Sequence, residues 1–295
     1  MNDGLFAPTQ YQLSRATSAT MNSLRMHAAA QSHIGKVRKT NEDQYLIGDV
    51  TSAIQVREAS VCQPNHLYLG VAPLCLLIVA DGMGGHAGGE HASALAISSV
   101  EAFILRSLGH IGTLGMRSAG DLLRASFEVA DGNVVEAAQG NASLAGMGTT
   151  MTAAIMGGSE VHIAHAGDSR AYLSRKHSLK RLTRDHTVAE ALRERGVING
   201  DSVGEQGAMH HIITNAVGGG TAGVNPDLTR VDLVAGDQLL LCTDGLTNMV
   251  TDDLIGSLLS GSHDSTEACS RLVEAALENG GADNITVVVA TFEVA

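Results

Sequence analysis

Residues 74–85 read LCLLIVADGMGG, and this stretch decides the fold. Seven consecutive apolar residues are typical of a strand buried on both faces, because a half-buried strand would alternate apolar and polar residues. The run ends at Asp81, and a glycine-rich loop follows. A carboxylate at the edge of a buried strand needs a partner, since desolvating it alone is costly. The sequence therefore predicts a core strand that ends in an acidic side chain with a compensating partner.

Two further buried strands also carry an aspartate at one end. Residues 239–243 (LLLCT) lead to Asp244, and Asp283 precedes the run ITVVVA at 285–290. One Asp-Gly pair is ordinarily a turn. Three carboxylates at the ends of neighbouring core strands would repel one another unless a cation lies between them. Oxygen ligands of this kind suit Mg²⁺ or Mn²⁺ better than Zn²⁺. We therefore predict a divalent metal site formed by these three aspartates.

Two more acidic residues are candidates for the same site. Glu42 follows Arg38 by four residues in the stretch RKTNED at 38–43, so the two could form an ordinary ion pair. The alternative is that Glu42 joins the metal cluster while Arg38 binds an anion through two hydrogen bonds. Asp168 lies in AGDSR at 166–170, between two predicted strands, where a β-turn aspartate is the simpler interpretation. The residues alone leave both pairs of alternatives open.

The composition excludes several classes of partner. The 295 residues include 19 Lys and Arg against 31 Asp and Glu, a net charge of −12, and only 3% are aromatic. These values argue against nucleic acid or a membrane surface as the partner. No apolar run approaches the roughly 18 residues of a membrane span. The four cysteines have the wide spacing of reduced thiols. We expect a cytoplasmic protein whose residues 1–26, which lack the pattern of a signal peptide, form a flexible tail.

Strand-like and helical segments occur in blocks along the rest of the chain. Residues 150–165 predict a hairpin with its turn at Gly157-Gly158. Helical periodicity covers 90–105, 122–138, 188–195, 252–259 and 266–277. Strands that come in runs predict a layered α+β domain, here over residues 27–295, rather than a regular βαβ winding. The glycine-rich segment 196–223 is long enough for a functional loop or lid.

The loop after residue 81 also permits a rival interpretation. Gly82, Gly84 and Ala87 follow a strand and open a helix, and Glu101 lies roughly 20 residues further on, which is a loose dinucleotide-binding fingerprint. A dinucleotide-binding oxidoreductase is therefore an alternative. It would place Asp81 against the pyrophosphate and leave the other two aspartate motifs unexplained.

Taken in order, the motifs resemble those of the metal-dependent PP2C (PPM) family of protein serine/threonine phosphatases, in its bacterial form. The matching segments, which span about 27–292, are Arg38 with NED at 41–43, VADGMGGH at 79–86, GTT at 148–150, AGDSR at 166–170, TRDH at 183–186, TDGL at 243–246 and DNIT at 283–286. The resemblance implies a four-layer α-β-β-α sandwich, with two central, mostly antiparallel sheets flanked by helices. It also implies a flap-like segment at about 186–224.

The resemblance further implies two core Mn²⁺ or Mg²⁺ ions and a weaker third, with a role for each matching residue. Asp81 would bridge the two core ions, the Gly82 carbonyl and Glu42 would complete the shell of one, Asp244 and Asp283 would hold the other, Asp43 would orient a bound water, Asp168 would belong to the third site, and Arg38 would receive the phosphate. Arg38, Asp81 and Asp244 are thus the expected catalytic residues.

The function implied by the resemblance is hydrolysis of phosphoserine and phosphothreonine by a water or hydroxide that bridges two metal ions. Such a bound water can have a pKa near 7 instead of 15.7. The partners would be phosphorylated proteins, the products of a serine/threonine kinase, and the enzyme would be a monomer. A catalytically silent regulatory module of the same fold is the alternative, but all the principal ligand residues are present.

Three positions depart from the family pattern. Met83 stands where eukaryotic members have a histidine proposed as general acid, so the leaving alkoxide needs another proton source, for which metal-bound water and His86 are the candidates. Asn248 stands where relatives often have an aspartate near the third ion. Asn215 lies in the flap-like segment, where a basic residue is common, which predicts altered substrate docking.

Overall fold

The computed structural model describes residues 24–50, 54–59, 74–84, 87–114, 119–197, 209, 211–220 and 223–294. Within these ranges the strands are β1 (Leu24–His33), β2 (Asp43–Val50), β3 (Ile54–Ala59), β4 (Leu74–Met83), β5 (Gly148–Gly157), β6 (Glu160–Ala166), β7 (Arg170–Arg175), β8 (Ser178–Arg181), β9 (Val217–Gly218), β10 (Asp227–Asp232), β11 (Gln238–Cys242) and β12 (Ile285–Val294). The helices are α1 (Ala87–Leu114), α2 (Ala119–Gly140), α3 (Val188–Glu194), α4 (Asp244–Thr247), α5 (Asp252–Ser260) and α6 (Ser265–Glu278).

The strands form two sheets. One sheet has the order β1-β12-β11-β7-β8, and the other has the order β10-β6-β5-β4-β2-β3 with the short β9 paired to β5. Every strand pair among the described residues is antiparallel. A dinucleotide-binding fold needs parallel strands on either side of its fingerprint loop. The rival interpretation of the loop after β4 is therefore wrong.

Three apolar layers hold four layers of secondary structure together. One cluster packs α1 and α2 on the β4 sheet, a second lies between the two sheets, and a third packs α5 and α6 on the β11–β12 sheet. Strand β4 contributes to two of them. Leu76 and Ile78 face the helices while Leu77 and Val79 face the opposite sheet, and all four are fully buried. Burial on both faces explains the unbroken apolar run, and the predicted α-β-β-α sandwich is confirmed.

Local differences from the sequence predictions have simple causes. The hairpin of β5 and β6 turns at Gly158 and Ser159, one residue later than predicted. Gly157 still pairs with Glu160, and Gly158 adopts the positive φ of +62°. Strand β1 begins at Leu24, so three residues assigned to the tail pair instead with the end of β12. The rest of that tail lies outside the described residues. The flap-like segment contains α3 and β9 as well as loop.

Antiparallel pairing brings several strand ends to one end of the sandwich. Asp43 at the start of β2 pairs with Asp81 near the end of β4. In the other sheet, β11 ends just before Asp244 and its partner β12 begins just after Asp283. The turn between β6 and β7, residues 167–169, lies at the same end, since Thr150 pairs with Asp81 and bonds to that turn. This geometry gathers the predicted site residues.

None of the helices in the described part of the chain is long and apolar enough to cross a membrane.

Close backbone contacts at this end depend on glycine. A Cβ added at Gly245, in α4, would overlap the backbone carbonyl oxygen of Asn284. Because backbone cannot move aside as a flexible side chain can, we expect Gly245→Ala to lower the free energy of unfolding by about 1–3 kcal/mol. Gly132 in the middle of α2 has open space around it, so Gly132→Ala is the matched control and should raise stability by about 0.5–1 kcal/mol. Denaturant unfolding of both variants checks this, and equal effects would contradict it.

Candidate metal centre

The predicted site residues converge on one open pocket. Its volume is about 540 Å³, and its lining includes Arg38, Glu42, Asp81, Gly82, Asp168, Asp244 and Asp283. Asp43, the remaining predicted ligand, is buried behind Asp81 instead of lining the pocket. The structure thus brings together acidic residues that are as much as 241 positions apart in the chain, from Glu42 to Asp283. Their roles at the site stay predictions.

Asp43 is held by a hydrogen-bonded link between the two sheets. The Thr243 hydroxyl donates to Asp43 Oδ2 at 2.8 Å and accepts the backbone N–H of Thr286 at 3.0 Å. The Thr243 N–H in turn donates to the Thr286 carbonyl at 3.0 Å. Because Asp43 belongs to one sheet and Thr286 to the other, this buried threonine fixes the spacing of the sheets at the pocket.

Burial and mutual repulsion perturb the carboxylates. The pKa of Asp43 is raised to about 7, mainly by burial; bonds from Thr286 and Thr243 oppose the shift, and the charges of Asp244 and Asp283 add to it. Burial raises the pKa of Asp168 to about 8, with Asp244 as the next cause. The pKa values of Asp81 and Asp244 are also raised, again first by burial and then by neighbouring aspartates. The pocket therefore favours a bound positive charge.

The donor set fits a hard divalent cation. Oδ1 of Asp244 is buried and receives no hydrogen bond from any described residue, although buried carboxylate oxygens are ordinarily satisfied. Among the described residues, no three Asp, Glu, His or Cys side chains form a ligand set by themselves. An ion here would also need the Gly82 carbonyl and water. Such a mixed oxygen shell is typical of Mg²⁺ and Mn²⁺.

Arg38 makes a different ion pair from the one considered in the sequence. Its Nη2 donates to Asp283 Oδ2 at 2.6 Å, rather than to Glu42. The Arg38 side chain is 53% exposed. The bond to Asp283 is the main cause that raises the pKa of Arg38. This geometry places a guanidinium at the mouth of the acidic pocket, within reach of an incoming anion.

Glu42 and Gly82 lie where β2, β4 and the first turn of α1 meet. The Gly82 N–H donates to the Glu42 carbonyl at 3.2 Å. A Cβ at Gly82 would overlap the Gly89 backbone, and a Cβ at Gly89 would overlap the Glu42 carboxylate. Two glycines therefore let the Glu42 carboxylate approach the N-terminal end of α1, whose partial positive charge attracts an anion.

Two structural residues of the site lay within the quoted motifs but had no predicted role. Asn284 accepts the Glu42 N–H at 2.8 Å and donates to the carbonyls of Ile34 and Thr40 at 2.9 Å, so it orders the loop that carries Arg38. Thr243 links the sheets as described above. Asn284 directly follows the predicted ligand Asp283, and Thr243 directly precedes the predicted ligand Asp244. This adjacency is the one sequence signal that could have indicated their roles.

The residues that depart from the family pattern are also placed. Met83 and His211 line the pocket, and His211 was not predicted to do so. Asn248 donates to Asp244 Oδ2 at 3.0 Å and so orients that carboxylate. His86, the candidate proton donor, lies outside the described residues.

Comparison with known proteins gives consistent relatives. The family model described as Protein phosphatase 2C matches residues 55–279. The serine/threonine phosphatase stp of Listeria monocytogenes is 35% identical over 271 residues, which cover 90% of this chain and 95% of that protein. The serine/threonine protein phosphatase PstP of Mycobacterium tuberculosis is 36% identical over 91% of this chain, but the match spans only 45% of that protein.

Solved structures agree with these matches. The catalytic domain of PstP in complex with two manganese ions is 34% identical, has a TM-score of 0.70, and is matched over 92% of this chain and all of that domain. The serine/threonine phosphatase of S. agalactiae has a TM-score of 0.74 at 28% identity, over 90% of this chain and 99% of that one.

Fold and pocket together define an α-β-β-α sandwich with a carboxylate site at one end. The chain belongs to the protein phosphatase 2C family.

The raised pKa values predict how stability depends on pH when metal is removed by a chelator. Folded aspartates that keep their protons up to about pH 7–8 bind more protons than the unfolded chain, so stability falls as pH rises from about 4 to 8. The Tm of the chelated protein should therefore be higher near pH 5 than near pH 8. Asp81→Asn removes one repelling charge and should raise the Tm near pH 8.

Added Mn²⁺ should reverse the order of the two proteins near pH 8, because the wild type gains more from the cation. Asp264→Asn is the control, since it changes the same charge at the N-cap of α6, where asparagine serves equally well. A chelated Asp81→Asn protein that melts below the wild type near pH 8 would contradict this account of the site.

Proposed function

We propose that this chain is a metal-dependent phosphatase that hydrolyses phosphoserine and phosphothreonine in proteins. The observation that carries the proposal is the convergence of five acidic residues on one pocket, where one carboxylate oxygen of Asp244 is buried and receives no hydrogen bond from any described residue. Membership of the protein phosphatase 2C family supports the reaction class. The two manganese ions in the related PstP domain support the choice of metal.

The pocket residues divide into two proposed ligand groups. Asp81 would belong to both, with the Gly82 carbonyl and Glu42 in one group and Asp244 and Asp283 in the other, while Asp168 would belong to a weaker third site. When bound, two Mn²⁺ or Mg²⁺ ions would supply Lewis acidity and an activated water for attack on phosphorus. Asp43 is the cross-strand partner of Asp81, and the bond from Thr243 fixes its carboxylate, which would orient a water bound at the site.

Arg38 is proposed to bind the phosphate. Its bond to Asp283 uses one Nη atom, which leaves further N–H groups of the guanidinium fork for phosphate oxygens. Neutralising those oxygens is where most catalysis of phosphoryl transfer resides. The acidic cluster would repel a phosphate dianion by itself, so Arg38 and the bound cations together reverse the charge that the substrate meets.

The rim of the pocket favours a protein substrate. Val37, in the pocket lining, is 68% exposed, and Ile212, next to the lining residue Ile213, is 51% exposed. These exposed apolar side chains, on two loops at the pocket, offer contacts to residues beside a phosphorylated side chain. We therefore propose phosphoproteins made by a serine/threonine kinase as substrates, hydrolysed by a monomer in the cytoplasm.

Phosphate release from a panel of phosphoserine and phosphothreonine peptides tests the function. We expect hydrolysis that requires Mn²⁺ or Mg²⁺ and is abolished by a chelator. Asp244→Asn should lower the rate by at least about 100-fold, because it removes a ligand, while the matched surface variant Asp264→Asn should keep the wild-type rate. A folded wild type that binds the ion and releases no phosphate would instead favour the catalytically silent module.

Arg38 variants test the phosphate-binding proposal. Loss of charge-assisted hydrogen bonds worth roughly 1.5–3 kcal/mol predicts that Arg38→Ala lowers kcat/KM by about 10- to 100-fold. Arg38→Lys keeps the charge without the fork and should fall between Arg38→Ala and the wild type. Steady-state kinetics on one phosphopeptide check this. Wild-type kcat/KM in Arg38→Ala would show that another group binds the phosphate.

A further inference from the structure

Two histidines whose rings pack on each other lie beside the turn that carries Asp168, and the proposed chemistry uses neither. The ring centroids of His165 and His186 are 4.9 Å apart, and both side chains are buried. His165 Nε2 donates to the Arg184 carbonyl at 2.9 Å, so its Nδ1 accepts the Thr152 hydroxyl at 2.8 Å. Burial lowers the pKa of His165 to about 3. This ring is therefore a neutral, fixed surface on which His186 packs.

Hydrogen bonds fix the tautomer of His186. Its Nδ1 lies 3.2 Å from the Gly167 backbone N–H and 3.0 Å from the Asn215 side-chain NH₂, both of which can only donate. Nδ1 is therefore the acceptor, and the proton lies on Nε2. Nε2 is 3.1 Å from Asp227 Oδ2, which accepts that proton. Each ring nitrogen thus has a defined partner.

The backbone of His186 repeats the same connections. Its N–H donates to the Gly167 carbonyl at 2.7 Å, and its carbonyl accepts the Thr214 N–H at 2.8 Å. The next residue, Thr187, forms a β-bridge with Ile213. His186 therefore joins the 167–169 turn to residues 211–218. These residues are one part of the longer flap-like segment at about 186–224, and only this part is here called the flap segment.

These two connected segments are two walls of the same pocket. The turn presents Asp168, and the flap segment presents His211 and Ile213. Gly167 has a φ of +119°, and a Cβ there would overlap the Thr150 side chain, so the turn packs tightly on β5. The flap segment approaches the turn through Asn215, which also donates to the Asn225 carbonyl at 2.7 Å and accepts the Asn225 N–H at 3.1 Å.

We infer that His186 is a positioning residue that couples the flap segment to the Asp168 turn, with Asn215 as the flap's point of attachment. The Asn215 amide bonds inward to His186. The two walls then hold one relative position, so a phosphopeptide that contacts the flap segment meets a preset pocket. This consequence for substrate rests on the proposed function, whereas the coupling itself does not.

Amide hydrogen exchange in the chelated protein tests the coupling without any activity. Asn215→Leu is close in size and can neither donate nor accept, so it removes the bonds of this amide to His186 and Asn225 and leaves the Gly167 bond in place. We expect exchange of the Gly167 N–H to become about tenfold faster, as for loss of one buried hydrogen bond. His186→Phe keeps a ring packed on His165 without the acceptor and should do the same.

The control for this experiment is Asn133→Leu in α2, which makes the same change at a side chain bonded to Ser99. It should leave Gly167 exchange unchanged. A folded Asn215→Leu protein with wild-type exchange at Gly167 would overturn the coupling. So would faster exchange spread evenly over all strands, because that result indicates a general loss of stability.

Kinetics then test the consequence for substrate. In Asn215→Leu the KM for a phosphopeptide should rise at least about fivefold more than the KM for p-nitrophenyl phosphate, which has no neighbouring residues to dock on the flap segment. Equal changes in both KM values, or a fall in kcat alone, would overturn the docking role. If the wild type hydrolyses neither substrate, the proposed function fails, and the Gly167 exchange result still decides whether the coupling exists.

Discussion

Repulsion among carboxylates at one end of the sandwich is the constraint on which the rest of the structure depends. Asp43, Asp81, Asp168 and Asp244 are brought together by strands and turns of both sheets, and burial raises the pKa of each. Such a cluster opposes folding by itself. The three apolar layers stabilise the sandwich strongly enough to hold the cluster, and bound cations would remove most of its cost.

The supporting residues show how the cluster is kept in place. Thr243 ties Asp43 to the opposite sheet, and Asn284 orders the loop that bears Arg38. Glycines at the same end permit backbone approaches that any side chain would block. The flap segment is attached differently, through the hydrogen bond from the Asn215 amide to the His186 ring.

Much of this arrangement could be predicted from the sequence, because strand burial and strand ends are local signals. The run from Leu74 to Ala80 predicted β4, and the aspartates at strand ends predicted the cluster. The link from Thr243 to Asp43 could not be predicted, since it joins residues 200 apart in different sheets. The sequence likewise left two partners possible for Arg38, Glu42 or a bound anion. In the structure Arg38 pairs with Asp283, which lies far away in the sequence. The predicted position of the hairpin turn was wrong by one residue, because Gly157 and Gly158 can both adopt the positive φ that the turn requires.

We propose that these carboxylates form a site for two divalent cations. Calorimetric titration of the metal-free chain with Mn²⁺ is the decisive measurement. We expect two tightly bound ions per chain in the wild type, any third ion binding more weakly, and the loss of at least one tight site in Asp244→Asn. A wild type that binds no Mn²⁺, or an Asp244→Asn variant that binds as many ions as tightly as the wild type, would contradict it.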